Sequence, residues 1–94
     1  MVTWKEINED VWGAQDGDAI EGVVVDKIPQ QGETSARYYL DTVKGQVMVW
    51  GTAVLDSLMR YVEIGQLVRI TYKGKKDIDK NQQLKIYKVE KGEQ

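Results

Sequence analysis

Three short segments mix tyrosine or tryptophan with other side chains able to meet a ligand: Arg37-Tyr38-Tyr39, Met48-Val49-Trp50 and Lys85-Ile86-Tyr87. Lys73, Lys75, Lys76 and Lys80 crowd the stretch just before the last of them. Flat rings beside cationic groups suit one chemistry above others. A ring stacks on a second π-face, worth about 1–3 kcal/mol when that face is an unpaired nucleobase. Lysine and arginine neutralise phosphates and release their counterions. Catalytic chemistry is much less well served. The 94 residues contain no histidine and no cysteine, which removes the commonest general base, the commonest zinc ligand and every thiolate nucleophile. Asp16 with Asp18 and Asp77 with Asp79 are paired carboxylates in expected loops, and the stretch from Asp77 through Asp79 to Asn81 lacks the glycine and glutamate of a calcium loop. The expectation is a binding protein with no cofactor and no metal, not an enzyme.

The charge is distributed unevenly. Formal net charge is −2, but residues 1–21 set Lys5 against six carboxylates. Residues 66–94 carry Arg69, Lys73, Lys75, Lys76, Lys80, Lys85, Lys88 and Lys91 against four. An acidic beginning and a basic end imply a polyanion met at the end only. No apolar run reaches the roughly 20 residues that span a bilayer, and residues 1–6 lack the apolar centre of a secretion signal. The expected setting is cytoplasmic, the host cytoplasm if phage-encoded, without a membrane partner.

Elements must hold these residues in place, and the hydrophobic period identifies them. Residues 18–28 read as a long first strand, interrupted at Gly22, where a bulge or bend is expected. Val23-Val24-Val25 is apolar on both faces, as in a strand shared by two sheets. Residues 30–35 form a loop after Pro29. Residues 37–43 and 46–50 alternate as second and third strands around a turn at Lys44-Gly45. At Gly51 the period changes. Thr52 is placed to cap a helix, and Val54, Leu55, Leu58, Met59 and Val62 repeat at helical spacing up to a stop near Gly65. Residues 67–73 and 84–89 alternate again, joined by a basic loop over 73–82. Residues 1–17 form an arm, or a short helix from Lys5, with tryptophans plugging one end of the molecule. Residues 90–94 form a tail.

This gives a single domain over residues 1–94, all-β with one short helix. Strand, strand, strand, helix, strand, strand, with a first strand bent between two sheets, is the order of a five-stranded OB-fold Greek-key barrel, its helix between strands 3 and 4. An SH3-like barrel is the nearest alternative and usually lacks so long a helix there. Strand alternation places Leu40, Val47, Val49, Val68, Ile70, Tyr72, Leu84 and Ile86 inward. It places Arg37, Tyr39, Met48, Trp50, Arg69, Lys73, Lys85 and Tyr87 outward, with Lys75, Lys76 and Lys80 on the loop.

The stretch YYLDTVKGQVMVWGTAVLDSLMRYVEIGQLVRITYKGKK, residues 38–76, resembles small phage-type OB-fold single-stranded DNA-binding proteins, and the likeness covers residues 18–89. It implies sequence-tolerant binding of single-stranded DNA in replication or recombination, with proteins of those processes as further partners. The short charged end, residues 90–94, departs from the long acidic tail many such proteins carry. Exposed barrel edges make a homodimer an expectation. The alternative is an OB-fold protein-interaction module without nucleic-acid affinity. An RNA-binding cold-shock type is disfavoured by the absence of phenylalanine.

Overall fold

A computed structural model describes residues 2, 10–79 and 81–92. The expected helix or arm over residues 3–9, Trp4 and Lys5 included, lies outside the described residues, as do Lys80 and the last two residues of the tail. Among the described residues the elements run β1 (Asp10–Val11), β2 (Ala19–Ile28), β3 (Arg37–Thr42), β4 (Gly45–Trp50), α1 (Ala53–Met59), β5 (Leu67–Asp79) and β6 (Gln82–Lys91). The strands lie in the order β1-β4-β3-β2-β5-β6. All pairings are antiparallel except the two-residue β1, which joins β4 in parallel. This is the expected all-β, OB-like arrangement with its single short helix. The sheet does not close: β4 and β6 are not paired, and a seam remains between them.

β2 is the shared strand. Its first half pairs with β5 and its second half with β3, the two meeting at Val23. The bulge falls between Val24 and Asp26, not at Gly22. Gly22 serves close approach instead, since a Cβ there would stand 2.7 Å from the Asp41 carbonyl oxygen. The β3–β4 turn is Val43-Lys44, one residue earlier than expected, and Gly45 opens β4 with φ +113°.

At the end of β4 the chain turns from strand to helix for steric and hydrogen-bonding reasons. The Gly51 amide donates to the Ala36 carbonyl at 2.7 Å. A Cβ on Gly51 would land on the Asp56 carboxylate and 2.9 Å from the Ala36 methyl. Thr52 then caps α1, its side chain accepting from the Leu55 amide. The helix buries Leu55 and Met59 and packs against β6. It thereby joins a core that includes Val24, Leu40, Val49, Val68 and Ile70.

Both ends of α1 are pinned from the sheet. The Tyr38 hydroxyl donates to Asp56 Oδ1 at 2.6 Å. At the other end α1 has no basic residue in its last turn. Lys27 of β2 supplies the cation, its Nζ donating to the Met59 and Val62 carbonyls at 2.9 and 2.7 Å. Orphan carbonyls at a helix end need such donors. Lys27→Met is therefore expected to cost about 1.5–3 kcal/mol, the range for hydrogen bonds made by a charged group, read as a lower urea midpoint at unchanged slope. An unchanged midpoint would show that water replaces the ammonium without loss.

Burial, then the Asp56 hydrogen bond and the Asp56 charge, raise the Tyr38 pKa above its usual value. A folded pKa above the unfolded one means the contribution is complete below about pH 10, the ordinary tyrosine value, and fades as pH climbs beyond it. Tyr38→Phe is expected to flatten the alkaline fall in stability between about pH 10 and 12, measured by urea titration at each pH. An identical fall in both proteins would assign it to other groups.

Candidate nucleic-acid interface

On the outer side of β3 and β4, Arg37 lies opposite Trp50 and Tyr39 opposite Met48. Trp50 is 44% exposed, so its ring is available. Arg37 and Tyr39 are half-buried. The Arg37 Nε is fully covered and has no hydrogen-bond partner. Met48 departs from expectation: it is only 2% exposed and offers no platform. It does not lie on a bare edge, because β1 extends the sheet past β4. Val11 pairs with Met48, and the Trp12 amide donates to the Met48 carbonyl at 2.9 Å.

The basic loop expected over residues 73–82 is a continuation of the hairpin. β5 runs through to Asp79, and β6 begins at Gln82. Residues 90 and 91 belong to β6 and not to a tail. The last strand also faces the other way. Tyr72 pairs with Tyr87 and Ile70 with Val89. Directly opposed residues share a face, so Tyr87 and Val89 turn to the core, against the outward placement of Tyr87. Leu84 and Ile86 take the opposite face and are half-buried. The Tyr72 and Tyr87 ring centroids are 5.2 Å apart.

A bulge then changes which lysines join them. Between the Tyr72–Tyr87 and Lys75–Lys85 pairs, β5 has two residues where β6 has one. Gly74 sits in the longer segment with φ +92°, a conformation open to glycine at no steric cost. The extra residue brings Lys75 onto the face of Tyr72, directly opposite Lys85.

The outcome is a cleft of about 300 Å³ at the unclosed seam. Trp50 comes to it from β4, Lys75 from β5, Lys85 and Tyr87 from β6, and Trp12 from the segment after β1. Trp12 packs against the core, as a plugging tryptophan should, and its ring lies 6.5 Å from that of Tyr87. Thr52 also lines the cleft. Burial first, and then repulsion from the Tyr72 phenolate where both would ionise, raise the Tyr87 pKa, while a hydrogen bond with Thr52 opposes the rise. The phenol is therefore neutral at pH 7.

Among the described residues, neither Lys75 nor Lys85 forms an ion pair. Like charges placed directly opposite across a ladder are destabilising, and an anion between them relieves that repulsion. Aromatic faces at the wall and two ammonium groups at the rim suit a flat ring that carries an anionic group.

The other expected site residues are not gathered here. Arg69 is exposed on β5 but engaged by Glu21 at 2.6 Å and Glu90 at 3.9 Å, with its pKa raised by the Glu21 hydrogen bond first. Lys73 and Lys76 are exposed on β5 and do not line the cleft. Trp12 is the cleft residue that the strand pattern misses. Its only sequence signal is an aromatic ring just before Gly13.

Among the described residues no cluster of three or more acidic side chains is arranged to hold a metal ion. Among the described residues no helix is long and apolar enough to cross a membrane. Set against protein-family models, curated proteins and solved structures, the chain matches none of them.

Proposed function

We propose that the protein binds single-stranded DNA with little sequence preference, a base stacking on Trp50 at the seam cleft while Lys75 and Lys85 meet the flanking phosphates. The observation that carries this is the convergence of Trp50, Tyr87, Lys75 and Lys85 on one cleft from three strands. Every base has a π-face and every nucleotide a phosphate, so such a site discriminates poorly among sequences. Arg37 lies opposite Trp50 but does not line the cleft, and its Nε is covered, so the two lysines carry the phosphate contacts of this reading. Replication or recombination, in the cytoplasm of a cell, is the setting this activity fits.

Titration with oligo-dT at low salt, followed by tryptophan emission, tests the proposal. Quenching should saturate, and affinity should fall as salt rises. Lys75→Ala combined with Lys85→Ala should reduce the slope of log K against log salt by about 1.4, at roughly 0.7 for each single-strand phosphate no longer neutralised. Absence of saturable binding to any single-stranded oligonucleotide would overturn the reading. A protein recovered by pull-down after nuclease treatment, in place of DNA affinity, would support the protein-interaction alternative.

A further inference from the structure

We propose that residues 11–18 form a strap that competes with the single strand for the seam cleft, an inference resting on the reading of that cleft as the DNA site. The strap crosses the gap that the sheet leaves open. At one end the Trp12 amide donates to the Met48 carbonyl of β4. At the other the Gly17 amide donates to the Tyr72 carbonyl of β5, and the Tyr72 amide donates to the Asp18 carbonyl, each at 2.8 Å. Between these ties Gly13 and Ala14 line the cleft, and Trp12 places its ring against Tyr87.

The strap carries the same chemistry as the proposed ligand. Its indole covers the Tyr87 side of the cleft, where a base would otherwise stack. Its Asp16 carboxylate lies near the start of the segment that carries Lys75. Asp16 lies over Gly74, 3.3 Å from where a Cβ would stand, and so beside Lys75 in the chain. A phosphate approaching Lys75 therefore nears the Asp16 carboxylate, and a base approaching Tyr87 meets a ring already in place. Neither conflict is relieved while the strap stays. The tie to β4 is one backbone bond beyond the two-residue β1, and Gly13 is exposed with no heavy atom within 4 Å of its Cβ position, which leaves that end the easier to lift. Binding is then reduced by the fraction of molecules in which the strap covers the Tyr87 side of the cleft, and a change that loosens the strap raises apparent affinity.

The test uses the full chain. In a Trp4→Phe, Trp50→Phe background Trp12 is the remaining tryptophan, and its acrylamide quenching is followed with and without saturating oligo-dT. Strap release should shift its emission to the red and increase quenching by acrylamide. Trp12→Leu, which changes no charge, and Asp16→Asn should each raise affinity for oligo-dT about five-fold or more, the lower end of ordinary coupling between sites. Trp12→Leu removes packing from the core margin, so thermal melting must first show a folded protein. The fluorescence arm decides the matter if it does not fold. Shielding of Trp12 by oligo-dT, or unchanged or weaker affinity of a folded Trp12→Leu protein, would overturn the strap and make Trp12 a stacking residue or a bystander. If no form binds oligo-dT at low salt, the single-strand reading itself is overturned and the strap with it.

Discussion

Trp50→Ala is expected to weaken oligo-dT binding about 5- to 150-fold, the equivalent of one stacked base at 1–3 kcal/mol. The size follows from the position of the ring. Trp50 closes β4 opposite Arg37, borders the seam cleft and is 44% exposed. Exposed apolar area of this kind contributes little to stability and is free to contribute to binding. The same substitution should therefore leave the melting temperature within a few degrees of the parent, since about 1 kcal/mol corresponds to 4–8 °C in a domain of this size. Trp50→Phe, which keeps a smaller π-face, should recover most of the affinity. The isotherm and the melt must be measured together. Unchanged affinity would remove Trp50 from the interface, and a steep fall in melting temperature would make its role structural.

The largest effect on stability belongs to the neighbouring residue. Gly51→Ala is expected to cost about 3 kcal/mol, at the upper end of ordinary overpacking, and so to lower the melting temperature by roughly 12–24 °C. The added methyl meets the Ala36 side chain, stands 3.0 Å from the Ala36 carbonyl oxygen and falls on the Asp56 carboxylate. None of these yields without consequence. The Ala36 carbonyl accepts the Gly51 amide, and Asp56 accepts the Tyr38 hydroxyl. Moving one loosens the strand-to-helix turn, and moving the other releases the start of α1. Gly13→Ala is the matched control, because a Cβ there meets no atom within 4 Å and should leave the melting temperature nearly unchanged. Equal melting temperatures for the two variants would show that the β4–α1 corner opens to admit a side chain at little cost.

The comparison of these two glycines also shows what is legible in a sequence. The change of period at Gly51 marks the corner, and Thr52 marks the cap, because strand alternation, helical spacing and an N-cap hydroxyl are all local properties. The shared first strand is as expected, but not through burial on both faces: Val24 is buried while Val23 and Val25 are 37% and 41% exposed, and the strand is shared by pairing with β5 and then β3. These features suffice for the order of elements and for an OB-like architecture. They also suffice to nominate Trp50, Lys75 and Lys85, whose residue types alone suit bases and phosphates.

The sequence does not determine which face of the last strand meets the core. Leu84 and Ile86 are the more apolar pair, yet Tyr87 and Val89 take the inward positions because they lie opposite Tyr72 and Ile70. A strand's faces exchange on a shift of one residue. Its register is fixed by pairing with β5 across the hairpin and by the bulges in that ladder, not by its own composition.

Residue types and their spacing thus determined five of the strands, the helix, their order and most of the side chains suited to a nucleic acid, but not β1 or the full length of the β5–β6 hairpin. The tertiary structure decided which of those side chains meet. It buried Met48 beside β1, committed Arg69 to Glu21 and Glu90, and used the two-for-one bulge at Gly74 to bring Lys75 opposite Lys85. It also drew in Trp12 from a segment whose periodicity gives no hint of the cleft. The physical reason is range: propensity and period act over a few neighbouring residues, whereas register and bulges depend on the partner strand, and closure of a seam on segments dozens of residues apart.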